Sequence, residues 1–209
     1  MAFFDAINQL IHCNVVYYGP VASGKSSSLR RLAQTYAKQQ QLIYPLQRYA
    51  NEEVRLVSCS VLGQQQLGAW RVHLHCLAQE GAAMDERHIK HWISIADAVM
   101  FVVDSQRDKL QENIIKLRNV ARMQQQNQRN FSQLPLVLQY TKRDLPNVVA
   151  IELLQRYLNP LAWDYVETNA ATGPTEPIVA ALHILETRLI AYLKQAIIPS
   201  LAPFVMLNT

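Results

Sequence analysis

A glycine-rich segment near the N-terminus has the residue types and the spacing that bind phosphate groups. Residues 19–26 read Gly-Pro-Val-Ala-Ser-Gly-Lys-Ser, which matches GxxxxGK[ST], and they lie between an apolar strand-like run and a predicted helix. Glycines let successive backbone N–H groups turn towards phosphate oxygens, and the start of the helix adds unpaired donors and the positive end of its dipole. The segment therefore predicts a nucleotide-binding site.

The side chains at the end of this loop have separate expected roles. We expect Lys25 to reach the β and γ phosphates, Ser26 to offer its hydroxyl to Mg²⁺, and Ser27 to lie near the α phosphate. Mg²⁺ is therefore the expected cofactor, with Ser26 as its predicted ligand. The predicted nucleotide-binding residues of the loop are Gly19, Ser23, Gly24, Lys25, Ser26 and Ser27.

A second segment indicates which base is bound. The strand-like run Leu136–Tyr140 is followed by Thr141, Lys142, Arg and Asp144, which resembles the guanine-recognition motif [NT]KxD. Asp144 can accept hydrogen bonds from N1–H and the 2-amino group of guanine, whereas adenine would leave the carboxylate unpaired. The stem of Lys142 can lie over the plane of the base. The motif thus predicts GTP or GDP as the ligand, with Thr141, Lys142 and Asp144 in the site.

Two further groups of residues are weaker candidates. Ala170 and Ala171 follow the last predicted strand and resemble a loop whose backbone N–H contacts guanine O6. His73 and His75 flank Leu74 on a predicted strand, so both face the same side of a sheet. Two such histidines could share a metal ion, but no third ligand stands near them in the sequence. Structural packing is therefore the favoured interpretation of the two histidines.

Apolar strand-like runs alternate with longer helical stretches along the chain. This alternation predicts an α/β fold with helices on both faces of a mainly parallel sheet. The connection between the second and third strands is too short for a crossover, so we expect an antiparallel pair at one edge. The six predicted strands are Asn14–Tyr18, Glu53–Cys59, Trp70–Leu77, Ala98–Val103, Leu136–Tyr140 and Trp163–Glu167.

The composition is that of a globular protein. The chain has 209 residues, 50% of them hydrophobic, and a formal net charge of +4, which excludes disorder as the main state. Basic residues never run beyond two, so solvated surface is favoured over a nucleic-acid patch, and the apolar runs are too short to span a membrane. We expect one domain over residues 1–209, with its core at about 14–196 and an apolar C-terminal tail. The N-terminus lacks the features of a signal peptide, so we expect a cytoplasmic protein.

Three longer segments carry a resemblance to a known family. Tyr17–Leu29 (YYGPVASGKSSSL), Phe101–Arg118 (FVVDSQRDKLQENIIKLR) and Leu134–Asn147 (LPLVLQYTKRDLPN) resemble the MglA family of bacterial Ras-like small GTPases, which act as switches in cell polarity and gliding motility. The resemblance extends over about residues 14–194. It implies a Ras-like P-loop NTPase fold, binding of GTP or GDP with Mg²⁺, and a roadblock-type (MglB-like) homodimer as protein partner.

The chain departs from this family where hydrolysis is catalysed. Val21 replaces a glycine whose absence of a side chain leaves room for the attacking water. In the segment that matches TxPGQ, Gln79 stands in place of the glycine and Glu80 in place of the water-positioning glutamine. A register shifted by two restores the glycine as Gly81 but not the glutamine. Glu52 stands where the first switch segment supplies a threonine to Mg²⁺.

These departures favour a small G protein that binds its nucleotide but hydrolyses GTP slowly or not at all. It would act through a protein partner on its switch face, and Gln79 and Glu80 are the candidate catalytic residues. Whether the protein is an effective GTPase stays open at this point. The alternative is a pseudo-GTPase scaffold whose conformation does not respond to nucleotide.

Overall fold

A single eight-stranded sheet forms the centre of the protein. The computed structural model describes residues 2–50, 55–81 and 86–196; Glu52 and the predicted C-terminal tail lie outside these ranges. The strands are β1 (Phe3–Asp5), β2 (Leu10–Tyr18), β3 (Leu42–Ala50), β4 (Arg55–Leu67), β5 (Trp70–Gln79), β6 (Ala98–Asp104), β7 (Leu136–Thr141) and β8 (Tyr165–Glu167). The helices are α1 (Lys25–Lys38), α2 (Glu86–Ile95), α3 (Leu110–Gln126), α4 (Ile151–Leu158) and α5 (Glu176–Ala196).

The order of the strands is β3-β4-β5-β2-β6-β7-β8, and β1 adds to the start of β2 in antiparallel orientation. The strands from β5 to β8 in this order run parallel, whereas β4 is antiparallel to both β3 and β5. This arrangement confirms the predicted α/β fold of the Ras-like type.

The sheet has two strands more than the six predicted, and β3 rather than β4 lies at its edge. Leu42–Ala50 was not predicted as a strand because Pro45 interrupts it and because Ile43 and Tyr44 are both exposed. An edge strand needs fewer ladder hydrogen bonds and can therefore hold a proline. The register against β4 shifts on both sides of Tyr44.

Two apolar layers hold the helices against the sheet. Helices α1 and α5 pack on one face, where Leu29 and Leu185 belong to the same buried cluster as Val15. Helices α2, α3 and α4 pack on the other face, together with Val16. Every residue of β6 is buried, as the uninterrupted apolar run Ala98–Val103 predicts, and Asp104 at its end is buried as well.

The carboxyl ends of β2, β6 and β7 meet at one edge of the sheet because these strands run parallel. This edge is where ligands bind in open α/β folds. The glycine-rich segment follows β2 there, and Thr141 ends β7 beside it. Among the described residues, no helix has both the length and the apolar character needed to cross a bilayer.

Candidate nucleotide-binding site

The loop between β2 and α1 has a backbone that depends on glycine. Gly19 has φ +150°, and a Cβ there would lie 2.1 Å from the Val102 carbonyl oxygen of β6. Gly24 has φ +100° at the start of α1, and Ala22 also has a positive φ of 60°. These three left-handed residues fold the loop back over the first turn of the helix.

The side chain of Lys25, the first residue of α1, is enclosed by this loop. Its side chain donates to the carbonyl oxygen of Gly19 at 3.1 Å and to that of Pro20, and the residue is only 6% exposed. Burial, reinforced by the nearby charge of Lys116, lowers the pKa of Lys25 to about 8, while Glu112 opposes the shift. A buried ammonium surrounded by carbonyl oxygens is poorly compensated, so an anion in the loop would complete its coordination.

A pocket of about 200 Å³ opens above Lys25. Residues 21–26 line one side of it, and Gln79 and Gly81 line the other. Gly81 has φ +81°. The structure therefore places Val21, Gln79 and Gly81 around the same pocket. Gly81 is the glycine that the register shifted by two would use.

Glu80 is engaged elsewhere. Its carboxylate forms an ion pair with Arg30 of α1, and its second oxygen lies 3.5 Å from Nε of Arg48 on β3. Glu80 is not among the residues that line the pocket. Of the two candidate catalytic residues, then, Gln79 borders the pocket and Glu80 faces two arginines.

Thr141 joins the phosphate loop to the sheet. Its buried hydroxyl lies 2.7 Å from the carbonyl oxygen of Ser23 and 2.8 Å from that of Val103. A Cβ on Gly24 would lie 3.4 Å from Cβ of Ala170 and 3.7 Å from the methyl carbon of Thr141. The segments that contain Thr141 and Ala170 therefore both pack against this loop.

The predicted base-binding residues Lys142, Asp144 and Ala171 differ in their hydrogen bonds and in their exposure. Lys142 has φ +58° and donates to Asp104 at 2.6 Å and to Gln106 at 3.0 Å. Asp144 is exposed. The N–H of Ala171 donates to Asn169 at 3.1 Å, so this amide has an internal acceptor.

Sequence reasoning missed the partner of Lys142. Asp104 is fully buried, and it also accepts from the N–H of Gln106 at 3.1 Å. Asn113 holds the backbone of Asp104 through both of its amide atoms, at 3.1 and 2.8 Å. The signal that could have revealed the pair is positional, because Asp104 ends one buried strand, Lys142 follows another, and these two strands are neighbours.

The chemistry of Ser26 is compatible with Mg²⁺. Ser26 is half-buried and lines the pocket beside Lys25, so its hydroxyl would offer Mg²⁺ one hard oxygen ligand. Bound Mg²⁺ would neutralise phosphate charge, with Ser26 holding it from the protein side.

A glycine-dependent phosphate loop at the carboxyl edge of this sheet defines a P-loop protein with the Ras-like fold. The chain is similar to the mutual gliding-motility protein MglA of Myxococcus xanthus (strain DK1622), with 27% identity over 185 aligned residues that cover 83% of this chain and 89% of MglA. No protein-family model matches the chain. The resemblance to MglA-like small GTPases predicted from the motifs is confirmed by this similarity.

Proposed function

We propose that the protein is a guanine-nucleotide-binding small G protein that holds GTP or GDP with Mg²⁺ in the cytoplasm. The observation that carries the proposal is Lys25, whose buried ammonium is enclosed by a glycine-dependent loop beneath an open pocket. The segment of Thr141 and Asp144 lies at the same sheet edge and supplies the guanine-specific carboxylate. Similarity to MglA over most of the chain supports the same function.

We propose further that GTP hydrolysis is slow. Val21 places a side chain at the rim of the pocket, where an attacking water would have to pass. For Glu80 to reach that water, its carboxylate would have to leave Arg30 and Arg48, and its negative charge would then meet the γ phosphate. Groups that orient water and balance charge contribute about 10³–10⁵ to the rate in related enzymes.

The protein would act through a partner on its switch face. This face contains the end of β5 with Gln79 and the residues that follow it to Gly81, both of which border the pocket. A roadblock-type, MglB-like homodimer is the partner that the family resemblance suggests. The name of MglA refers to gliding motility, and we extend a role in motility or cell polarity to this chain on that basis.

The first test is the nucleotide content of freshly purified protein, released by denaturation and separated by anion exchange. Recovered GTP would support a protein that binds and barely hydrolyses. Recovered GDP would overturn the slow hydrolysis, although not the binding. An empty site that also fails to take up added GTP or GDP would overturn nucleotide binding.

Specificity needs a second measurement with matched variants. Uptake of fluorescent GTP should be outcompeted by GDP and not by ATP, and Asp144→Asn should weaken it by at least tenfold because one charged acceptor of guanine is lost. Asp108→Asn is the control, since Asp108 is an exposed aspartate at the start of the segment that leads into α3. Equal loss in both variants would contradict guanine recognition by Asp144.

One observation favours the alternative of a pseudo-GTPase scaffold. The ion pairs of Glu80 with Arg30 and Arg48 connect the end of β5 to α1 and β3, which restrains the segment that would have to respond to the γ phosphate. Hydrogen exchange of residues 77–81 with GTP and with GDP separates the two functions. A difference between the nucleotides supports a switch, and identical exchange with both bound supports the scaffold.

A further inference from the structure

Three histidines from two neighbouring strands meet on one face of the sheet, away from the nucleotide pocket. We propose that His12, His73 and His75 bind a divalent transition-metal ion of the Zn²⁺ type. No third ligand stands near His73 and His75 in the sequence, but strand pairing places His12 of β2 directly opposite His73 of β5. Each histidine offers one ring nitrogen, and these three atoms all lie within 4.8 Å of one another.

The distances are close to those of a metal site. Nδ1 of His12 lies 3.0 Å from Nε2 of His75, and the ring of His73 is centred 4.7 Å from that of His12 and 4.1 Å from that of His75. Zn²⁺ binds imidazole nitrogen at about 2.0–2.1 Å, so tetrahedral ligand nitrogens lie about 3.4 Å apart. Small rotations of the rings would therefore bring all three nitrogens into coordination.

His73 has buried ring nitrogens that a metal ion could coordinate. Its side chain is 3% exposed, and neither Nδ1 nor Nε2 has a hydrogen-bond partner. A buried polar atom without a partner is unfavourable and rare in folded proteins. A metal ion among the three rings would coordinate one of these nitrogens, which packing alone leaves unsatisfied.

The surroundings resemble the outer shell of a metal site. Ser60 of β4 lies 2.9 Å from Nδ1 of His75, so it can accept the proton of that nitrogen and leave the Nε2 lone pair directed at His12. The rings of Phe3 and Tyr44 flank the cluster, 5.8 Å from His12 and 6.2 Å from His73.

A fourth ligand has room. A pocket of about 470 Å³ borders His12, His75 and Ser60 and also includes Asn14. This pocket gives an ion a path to the cluster and space for water as a further ligand. Three neutral imidazoles suit Zn²⁺, Co²⁺, Ni²⁺ or Cu²⁺ and discriminate against Mg²⁺, which prefers oxygen. The site is thus chemically distinct from the one at Ser26.

The experiment is a calorimetric titration of ZnCl₂ into the full chain, which carries no histidine tag. Mg²⁺ is present in excess throughout. Cobalt absorption in the visible range gives a second readout, because its intensity depends on coordination geometry. We expect one Zn²⁺ per chain at micromolar concentration or below. The substitutions His12→Gln and His75→Asn should each weaken Zn²⁺ binding at least 100-fold. The control is His91→Asn, which changes an exposed histidine of α2 and should leave Zn²⁺ binding unchanged.

His12 is only half-buried, so His12→Gln keeps the test valid even if changes at His73 prevent folding. Circular dichroism establishes that each variant is folded. Ser60→Ala should weaken binding by about 10-fold to 100-fold, which a packing role alone would not produce. No binding to the unmodified chain, or equal binding to the His12 and His75 variants, would overturn the proposal.

Discussion

Lys142 Nζ lies 2.6 Å from Oδ2 of Asp104, and the carboxylate that it contacts is completely buried. The pair joins the residue that ends β6 to the one that follows β7, at the edge of the sheet where the phosphate loop lies. Lys142 itself is partly exposed, with 28% of its side chain accessible. The charge of buried Asp104 therefore depends on this ion pair more than the charge of Lys142 does, because Lys142 is also reached by water.

Asp104→Asn should lower the free energy of unfolding by about 1–3 kcal/mol, because a hydrogen bond between charged groups becomes one to a neutral amide at a buried position. The Asn side chain can still accept from the Gln106 N–H, so the turn is kept. Urea denaturation followed by circular dichroism measures the change. Asp108→Asn, at an exposed position, should leave the midpoint where it is, and an unchanged midpoint for Asp104→Asn would contradict the importance of the pair.

Binding of nucleotide to the site of Lys25 should take up protons near pH 8. Burial lowers the pKa of Lys25 to about 8 in the free protein, with Lys116 acting in the same direction and Glu112 and Asp104 in the opposite one. Bound phosphates favour the protonated form, so affinity should fall by up to about tenfold per pH unit above pH 8. This prediction rests on the proposed function.

Calorimetry at pH 8 in two buffers of different ionisation enthalpy measures the protons taken up. In Lys25→Arg the guanidinium stays charged in this range, so any remaining binding should no longer depend on the buffer. Buffer-independent heats with the unmodified chain would show that Lys25 is already fully protonated.

The local features of the site were predictable, since they depend on contiguous residues. The glycines of the phosphate loop, the strand–loop–helix context of Lys25 and the position of Thr141 at the end of a buried strand all follow from sequence spacing. Each of these features needs only one segment to fold as its own residues favour.

Features that depend on neighbouring strands were not predictable in this way. His12 meets His73 through the pairing of β2 with β5, and no spacing along the chain reveals which strands become neighbours. The arginine partners of Glu80 were hidden because Arg30 of α1 and Arg48 of β3 approach the end of β5 only through tertiary packing. Strand β3 was missed on different grounds, because its edge position leaves Tyr44 exposed and removes the alternating apolar pattern.

Gly63 lies in a bulge of β4 that is closed by Glu186 of α5. The buried carboxylate accepts from the N–H of Gln65 at 2.8 Å and from that of Gln64 at 3.3 Å, which supplies acceptors that the interrupted ladder lacks. A Cβ on Gly63 would lie 2.2 Å from Oε1 of Glu186. Gly63→Ala should therefore lower the free energy of unfolding by about 1–3 kcal/mol, which thermal or urea denaturation would measure.

A double-mutant cycle tests the cause of this destabilisation. In a Glu186→Ala background the contact with the carboxylate is gone and only the 3.1 Å approach to the Val72 carbonyl oxygen remains, so Gly63→Ala should cost less than half of what it costs in the unmodified chain. An equal cost in both backgrounds would assign the destabilisation to the Val72 carbonyl oxygen, which lies 3.1 Å from the same Cβ position.

The substitutions Val21→Gly and Glu80→Gln together should raise the rate of GTP hydrolysis at least tenfold. The first removes a side chain from the rim of the pocket, and the second supplies a neutral amide in place of a carboxylate that would repel the γ phosphate. Loss of charge at position 80 also releases Arg30 and Arg48 from their ion pairs, which frees the segment to approach the nucleotide. Single-turnover hydrolysis of bound GTP, quenched in acid and resolved by chromatography, gives the rate constant.

Glu80→Gln alone should give the smaller gain, because Val21 still crowds the pocket. Rapid turnover by the unmodified chain, or no gain in the double variant, would show that these two positions do not limit hydrolysis.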